Sequence, residues 1–170
     1  MIRNIMTASV VQLGLAALVY VAAGNHAGGG SLMAEMLGML FPWLAGLACI
    51  LAGYWMRPSA SAGRCFLSVA VLPLAGVLLA LAAVFLPENM AVPVASFSSF
   101  LALPFQALLA GLTVPVLAAA VPFCSSLLMF SGMQIRQGKQ GKRGLALGLV
   151  IAYLMLLLLV PVVMVVRDML

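Results

Sequence analysis

Residues 136–166 have the sequence RQGKQGKRGLALGLVIAYLMLLLLVPVVMVV, in which a strongly basic turn leads into a long run without a charged residue. One helical crossing of the bilayer core needs about 20 apolar residues, so residues 144–166 predict a transmembrane helix. Lysine and arginine are enriched in cytoplasmic loops. The turn at 136–143 is therefore predicted to be cytoplasmic, and the helix that follows is predicted to end outside.

The composition of the whole chain favours lipid as the main solvent. Hydrophobic residues make up 66% and charged residues 6% of the 170 residues, whereas a soluble domain carries roughly 25% charged residues. We expect an all-α fold, a polytopic membrane helical bundle that forms a single integral membrane domain over residues 1–170.

Apolar runs separated by charged, proline-containing or glycine-rich turns predict five transmembrane helices. They cover residues 5–23, 32–56, 65–86, 104–130 and 144–166. The uncharged stretch 90–134 is too long for one ordinary span. Pro93 and the serines that follow it make the first part of this stretch a poor helix. We therefore expect residues 90–103 to form an interfacial or re-entrant segment before the fourth helix.

Charge placement predicts the orientation in the membrane. With five spans and the N-terminus inside, seven of the eight basic residues are cytoplasmic and only Arg167 is outside. The acidic residues Glu35, Glu88 and Asp168 then fall at or just beneath the outer surface. Two spans within 90–134 would place the most basic turn outside. We expect the N-terminus in, the C-terminus out, and the bacterial inner (plasma) membrane as the location.

The residue types that catalysis requires are scarce. His26 is the only histidine, and the three acidic residues are far apart in the sequence. No spacing typical of metal ligands, of a nucleophile elbow or of a phosphate-cradling loop is present. We expect no enzyme activity, no metal site and no cofactor. The net charge of +5 arises from short turns between spans, so nucleic acid is not expected as a partner.

The second predicted span holds three residues that suggest a site. Glu35 lies about one turn inside the span, where an ionisable group can mark a proton, cation or ligand site or can reach back to the headgroups. Pro42 removes a helical hydrogen bond, and Trp43 places an indole N–H where it needs a partner. A small pocket and a kinked packing helix both explain Pro42 and Trp43.

The fourth predicted span is interrupted by two prolines. Pro115 and Pro122 are seven residues apart and therefore lie nearly on one helix face. Irregular backbone at membrane depth is tolerated where protein or water satisfies it, so this helix is expected either to line a solute path or to be a kinked part of the packed bundle. The predicted ligand or ion path comprises Glu35, Trp43, Gln106 and Thr113. The predicted helix kinks lie at Pro42, Pro115 and Pro122.

The first two spans resemble those of a known family. A short first span, a glycine-containing exterior turn and a second span with Phe41-Pro42, Leu44, Gly46 and Gly53 are similar to the small membrane subunit of tripartite tricarboxylate transporters. That resemblance implies few spans and an association with a larger transport subunit. The long uncharged stretch 90–134 departs from the family pattern.

These features predict an accessory or structural subunit of a larger membrane complex, with transport as its setting. The expected partners are the lipid bilayer and other membrane subunits, or further copies of this chain. One alternative is a protein that binds or translocates a small solute or ion through Glu35, Trp43 and the proline-kinked fourth helix. A further alternative is an immunity-type membrane protein, which the small size permits.

Overall fold

A computed structural model of the chain describes residues 1–26, 32–58, 61–83, 85–105, 121–137, 144, 146–155 and 157–158. Within these ranges the chain forms six α-helices and no β-strand. They are α1 (Ile2–His26), α2 (Leu32–Trp55), α3 (Ala62–Ala83), α4 (Glu88–Ala102), α5 (Pro122–Gln137) and α6 (Ala146–Met155). The predicted all-α helical bundle is confirmed.

Two of the described helical stretches are long and apolar enough to cross a membrane. They are Ile2–Ala22, with 21 residues, and Ala62–Leu79, with 18 residues. Leu40–Trp55 and Ala146–Met155 are shorter apolar helices. By length and composition alone these helices give weak support to a membrane location, and the count of five spans stays a proposal.

The first three helices lie where the sequence predicts spans 5–23, 32–56 and 65–86. Both α2 and α3 continue through an internal proline, Pro42 and Pro73 respectively, and both prolines are buried. A proline inside a helix removes one backbone hydrogen bond. In both helices the helical backbone nevertheless extends on either side of the proline.

The segment 90–103 is more helical than predicted, because most of it belongs to helix α4; its interfacial or re-entrant placement stays a prediction. Proline and serine were expected to make it poorly helical, yet Pro93 lies within the helix. Ser96 Oγ donates a 2.8 Å hydrogen bond to the carbonyl oxygen of Val92 in its own helix. A serine that bonds the preceding turn in this way is compatible with a continuous helix. Helix α4 packs mainly against α3 and also contacts α1.

The fourth predicted span, 104–130, also differs in its bounds. Pro104 was expected near the start of a helix, but it lies in a single 3₁₀ turn at 103–105 that follows α4. Pro122 was expected to kink a helix, but it is the first residue of α5. Proline suits this first position because the N–H that it lacks has no intrahelical partner there. Residues 106–120, with Gln106, Thr113 and Pro115, lie outside the described residues.

Helix α5 packs chiefly against α2, and two glycines allow the closest approach. A Cβ atom on Gly53 would collide with the backbone carbonyl of Met129, and one on Gly132 would collide with the carbonyl of Ile50. Small residues at such a crossing let two helix backbones touch. Residues 50–54 of α2 face residues 129–132 of α5. Further along α5, Arg136 contacts the carbonyl oxygens at the C-terminal end of α2. Both helices therefore advance toward the same end of the bundle.

One end of the bundle collects the described basic residues, and we call it the basic end. Asn4 Nδ2 donates a 2.7 Å hydrogen bond to the carbonyl oxygen of Arg57, which joins the start of α1 to the end of α2. Arg136 Nη1, from α5, lies 3.2 Å from each of three carbonyl oxygens at the end of α2. The basic end is formed by Arg3, Arg57, Arg64 and Arg136. The gathering of these four arginines agrees with the predicted one-sided placement of the basic turns.

The outer surface of the bundle is apolar to an unusual extent. Large apolar side chains such as Leu78, Phe85 and Trp55 are 65%, 89% and 78% exposed. Inside, the buried residues include the polar side chains of Asn4, Gln12 and Gln134. Soluble proteins rarely expose contiguous apolar surface of this kind.

Candidate functional site

The predicted site residues fall into three groups. Pro42 and Trp43 are fully described, whereas Glu35 is placed only as part of α2 and its side chain lies outside the described residues. Gln106 and Thr113 are outside the described ranges, so the predicted path from Glu35 through Trp43 to these residues stays a prediction. Pro42 and Trp43 both contact other described residues of the bundle.

Pro42 is in contact with α6 through its carbonyl group. The hydroxyl of Tyr153 donates a 2.6 Å hydrogen bond to the carbonyl oxygen of Pro42. The tyrosine ring occupies the space beside Gly46, where a Cβ atom would lie 2.9 Å from the Tyr153 hydroxyl oxygen. The ring also makes an edge-to-face contact with Phe105 at a centroid distance of 6.2 Å. The surroundings of Pro42 are therefore packed protein, which favours the predicted packing role over a pocket at this residue.

Trp43 is half-buried and packs against the hydrophobic core. Its neighbours on α2 along the core face include Ala45 and Cys49, both buried. Trp43 thus contributes apolar area to the core.

A buried polar cluster joins three helices and was not singled out from the sequence. Gln12 of α1 donates through Nε2 to Ser125 Oγ at 2.9 Å and to Ser126 Oγ at 3.3 Å, both on α5. The Ser126 hydroxyl donates to the carbonyl oxygen of Val69 on α3 at 2.8 Å. Gln12 Nε2 also lies 3.4 Å from that carbonyl. We call Gln12, Ser125, Ser126 and the Val69 carbonyl the polar cluster.

A sequence signal for the polar cluster does exist. Gln12 is an uncharged polar residue in the middle of the first apolar run, at a depth where polar side chains need partners. It shares the buried face of α1 with Asn4, Ala8 and Ala16, each four residues from the next. That spacing places all four on one side of a helix. The signal identifies the face, but not the serines that Gln12 contacts.

Two buried amides have atoms without a hydrogen-bond partner in the described ranges. Gln12 Oε1 is one such atom, and both Oε1 and Nε2 of Gln134 on α5 are others. Gln134 is 1% exposed. Burying an amide without hydrogen bonds is unfavourable, so water or a polar group that enters the bundle would be stabilised at these atoms.

A cavity of about 490 Å³ opens at the basic end. Three arginines line it, Arg3 from α1, Arg57 from the segment after α2 and Arg64 from the first turn of α3. The buried side chains of Asn4 and Ser68 also line it. We call it the arginine cavity. Its lining combines positive charge with buried polar atoms.

An apolar groove of about 750 Å³ lies between α1 and α4. Its walls include Tyr20 and Phe100, whose rings meet edge to face at 6.1 Å, together with Val92 and Pro93. Serine side chains at 96 and 99 supply the polar part of its lining.

The chain was also compared with known proteins. No family model, curated protein or solved structure matches it. The resemblance of the first two spans to the small membrane subunit of tripartite tricarboxylate transporters therefore rests only on the residues quoted for it.

Proposed function

We propose that this protein is a five-span integral membrane protein that serves as an accessory subunit of a larger membrane complex, with transport as its setting. In this proposal the basic end faces the cytoplasm, in the bacterial inner membrane. The exposed apolar surface and the gathering of four arginines at one end support a membrane location with this orientation.

The observation that carries the subunit proposal is the surface of α6. This helix buries one narrow stripe that contains Ala146 and Tyr153, and Leu157 extends the stripe beyond its end. Most of its other large side chains are exposed, namely Leu147, Ile151, Leu154 and Met155, while Leu149 and Val150 are half-buried. This surface is consistent with a helix that faces lipid or a partner subunit. An apolar face of this width can accept a helix of another subunit.

The contacts inside the bundle also favour a structural role. The Tyr153 hydroxyl donates a hydrogen bond to the Pro42 carbonyl oxygen. The Ser126 hydroxyl of α5 donates one to the Val69 carbonyl oxygen of α3. Glycine contacts bring α2 and α5 into backbone contact at Gly53 and Gly132. Such contacts fix the relative positions of helices, which suits a protein that presents a rigid surface to a partner.

Photo-crosslinking in intact membranes tests the subunit proposal. A photoreactive residue placed at Ile151 or Met155 should join the chain to one protein of constant mass, which should also copurify in fixed ratio under mild detergent. Val10 on α1 is a matched control, because it is 69% exposed but lies on another helix. Equal capture from Val10, or a solitary monomer in mild detergent, would count against the proposal. A product of twice the chain's mass would identify a homo-oligomer instead.

The second candidate, binding or translocation of a small solute or ion, is favoured by the orphaned amide of Gln134. Gln134→Leu should stabilise the protein if nothing binds there, because it removes a buried amide without partners. Loss of solute-induced stabilisation in this variant would support the second candidate. Glu35→Gln is the companion test for the predicted path, and unchanged flux together with unchanged solute-induced stabilisation in both variants would exclude the second candidate.

A further inference from the structure

The arginine cavity concentrates positive electrostatic potential from several sources. Arg3, Arg57 and Arg64 come from three separate segments and converge on one cavity. Helices α1 and α3 both begin at this cavity, and neither has an acidic residue in its first turn. The N-terminus of a helix carries a partial positive charge, which disfavours nearby cations and favours anions. Arg3 and Arg64 thus stand where the dipoles of α1 and α3 oppose them, whereas Arg57 follows the C-terminal end of α2, where a cation is favoured.

The acidic residues of the chain do not offset this charge in the described ranges. Glu35 lies twenty positions before Trp55 at the far end of α2, about 30 Å along the helix at its usual rise. Glu88 begins α4. Helix α3 leads away from Arg64 to Ala83 before it, about 29 Å along the helix at its usual rise. Asp168 lies outside the described residues. We therefore expect an anion from outside the chain to balance the positive charge of the arginine cavity.

The shape of the cavity suits a ligand rather than a flat ionic surface. Its volume of about 490 Å³ lies within the usual range of small-molecule sites. Ser68 is 1% exposed and Asn4 is 7% exposed, so polar side chains lie at its inner wall. The Asn4 hydrogen bond to the carbonyl oxygen of Arg57 fixes the backbone from which one arginine extends.

We propose that the arginine cavity binds the phosphate group of an anionic phosphate ester. Guanidinium groups form charge-assisted, paired hydrogen bonds with phosphate oxygens, which lysine does not reproduce. With the basic end on the cytoplasmic side, the cavity lies at the level of the inner-leaflet headgroups, where basic pockets between helices bind anionic lipids. A lipid headgroup and a soluble phosphate ester share this chemistry. The proposal rests on the membrane location but requires no partner subunit.

The test uses the purified full-length protein in an uncharged detergent and follows its thermal unfolding midpoint. One arm titrates inorganic phosphate against sodium chloride at equal ionic strength. The other arm titrates dihexanoyl phosphatidylglycerol against dihexanoyl phosphatidylcholine, whose headgroup has no net charge. A rise with phosphatidylglycerol alone assigns the site to a lipid headgroup, and a rise with inorganic phosphate assigns it to a soluble phosphate ester.

Paired variants separate a defined site from general attraction to positive charge. Arg57→Gln with Arg64→Gln should raise the half-saturating concentration of the active probe by about tenfold or more, because each charged hydrogen bond contributes strongly. Arg57→Lys with Arg64→Lys should also weaken binding, although the charge is retained. The control, Lys139→Gln with Lys142→Gln, removes two charges from the turn predicted on the same side of the membrane.

The control pair should bind the probe as the unaltered protein does. If Lys139→Gln with Lys142→Gln weakens binding as much as Arg57→Gln with Arg64→Gln does, the proposal is overturned, since the probe would then respond to net charge alone. Absence of a response to both probes in the unaltered protein would overturn it as well. Circular dichroism checks that each pair remains helical, and Arg64→Gln alone replaces the arginine pair if that pair does not fold.

Discussion

Gly53 of α2 and Gly132 of α5 lie at a helix crossing where the two backbones are in direct contact. Each glycine leaves room for a carbonyl of the opposite helix, that of Met129 for Gly53 and that of Ile50 for Gly132. Contacts of this kind permit Cα–H···O interactions and extensive van der Waals packing between helices. Because α2 and α5 form the most extensive helix pair in the described bundle, this crossing is central to its stability.

Gly132→Ala should therefore destabilise the protein by about 1–3 kcal/mol or more, because the added methyl group meets backbone that cannot rotate aside. The unfolding midpoint in detergent measures the change. Gly14→Ala is the matched control, since a Cβ atom at Gly14 has nothing within 4 Å. Alanine is the better helix former, so Gly14→Ala should leave stability unchanged or raise it slightly. Similar losses at both positions would contradict the close crossing.

The Tyr153 hydroxyl gives a second prediction, on how α6 is attached. Tyr153→Phe retains the ring beside Gly46 but removes the hydrogen bond to the Pro42 carbonyl. We expect a loss of about 1 kcal/mol in the free energy of unfolding. Tyr20→Phe is the control, because Tyr20 is 65% exposed and its ring contact with Phe100 is kept. A stability loss as large at Tyr20 would argue against a specific role for the Tyr153 hydroxyl.

The polar cluster predicts unequal effects of the same substitution at two serines. Ser126→Ala removes a buried hydrogen bond between α5 and α3, whereas Ser96→Ala removes an exposed bond within α4. The first should cost about 0.5–1.5 kcal/mol of unfolding free energy and the second close to nothing. Titration with a denaturing detergent measures both. Equal costs would show that the bond between helices contributes no special stability.

The proposed topology makes a prediction that needs no purified protein. A topology reporter fused after Asn89 should indicate an exterior position, and one fused after Gln140 should indicate a cytoplasmic position. The reason is that lysine and arginine are enriched in cytoplasmic loops, so the basic turn at 136–143 is expected to stay in the cytoplasm. Reporter activity in whole cells measures both positions, with fusions at Arg57 as a further cytoplasmic control. An exterior result at Gln140 would overturn the five-span proposal.

Hydropathy was sufficient to place the first three helices. The predicted spans 5–23, 32–56 and 65–86 correspond to α1, α2 and α3, since long apolar runs and glycine- or proline-containing turns depend on local sequence alone. The bounds within 90–134 were less accurate. There the pattern contains few breaks, and the residues that end one helix and begin another are prolines whose effect depends on position.

The contacts of the candidate site were largely beyond the reach of sequence reasoning. Gln12 was visible as a polar residue in an apolar run, but its acceptors on α5 depend on how distant helices cross. The fit of Gly53 against Gly132 likewise requires the tertiary structure, because glycines are frequent in membrane helices and most face no backbone. The convergence of Arg3, Arg57 and Arg64 follows from the predicted one-sided charge, whereas the cavity between them does not.

The Gln12 contact has a consequence for the order of events during synthesis. Its acceptor Ser125 lies 113 residues later in the chain, so at usual rates of translation α5 emerges on the order of ten seconds after α1. In the proposed topology the Gln12 amide would occupy the membrane during that interval without its two serine acceptors. We therefore expect the first three helices to remain beside the insertion machinery or a membrane chaperone until α5 arrives, and the complete bundle to be released as one unit.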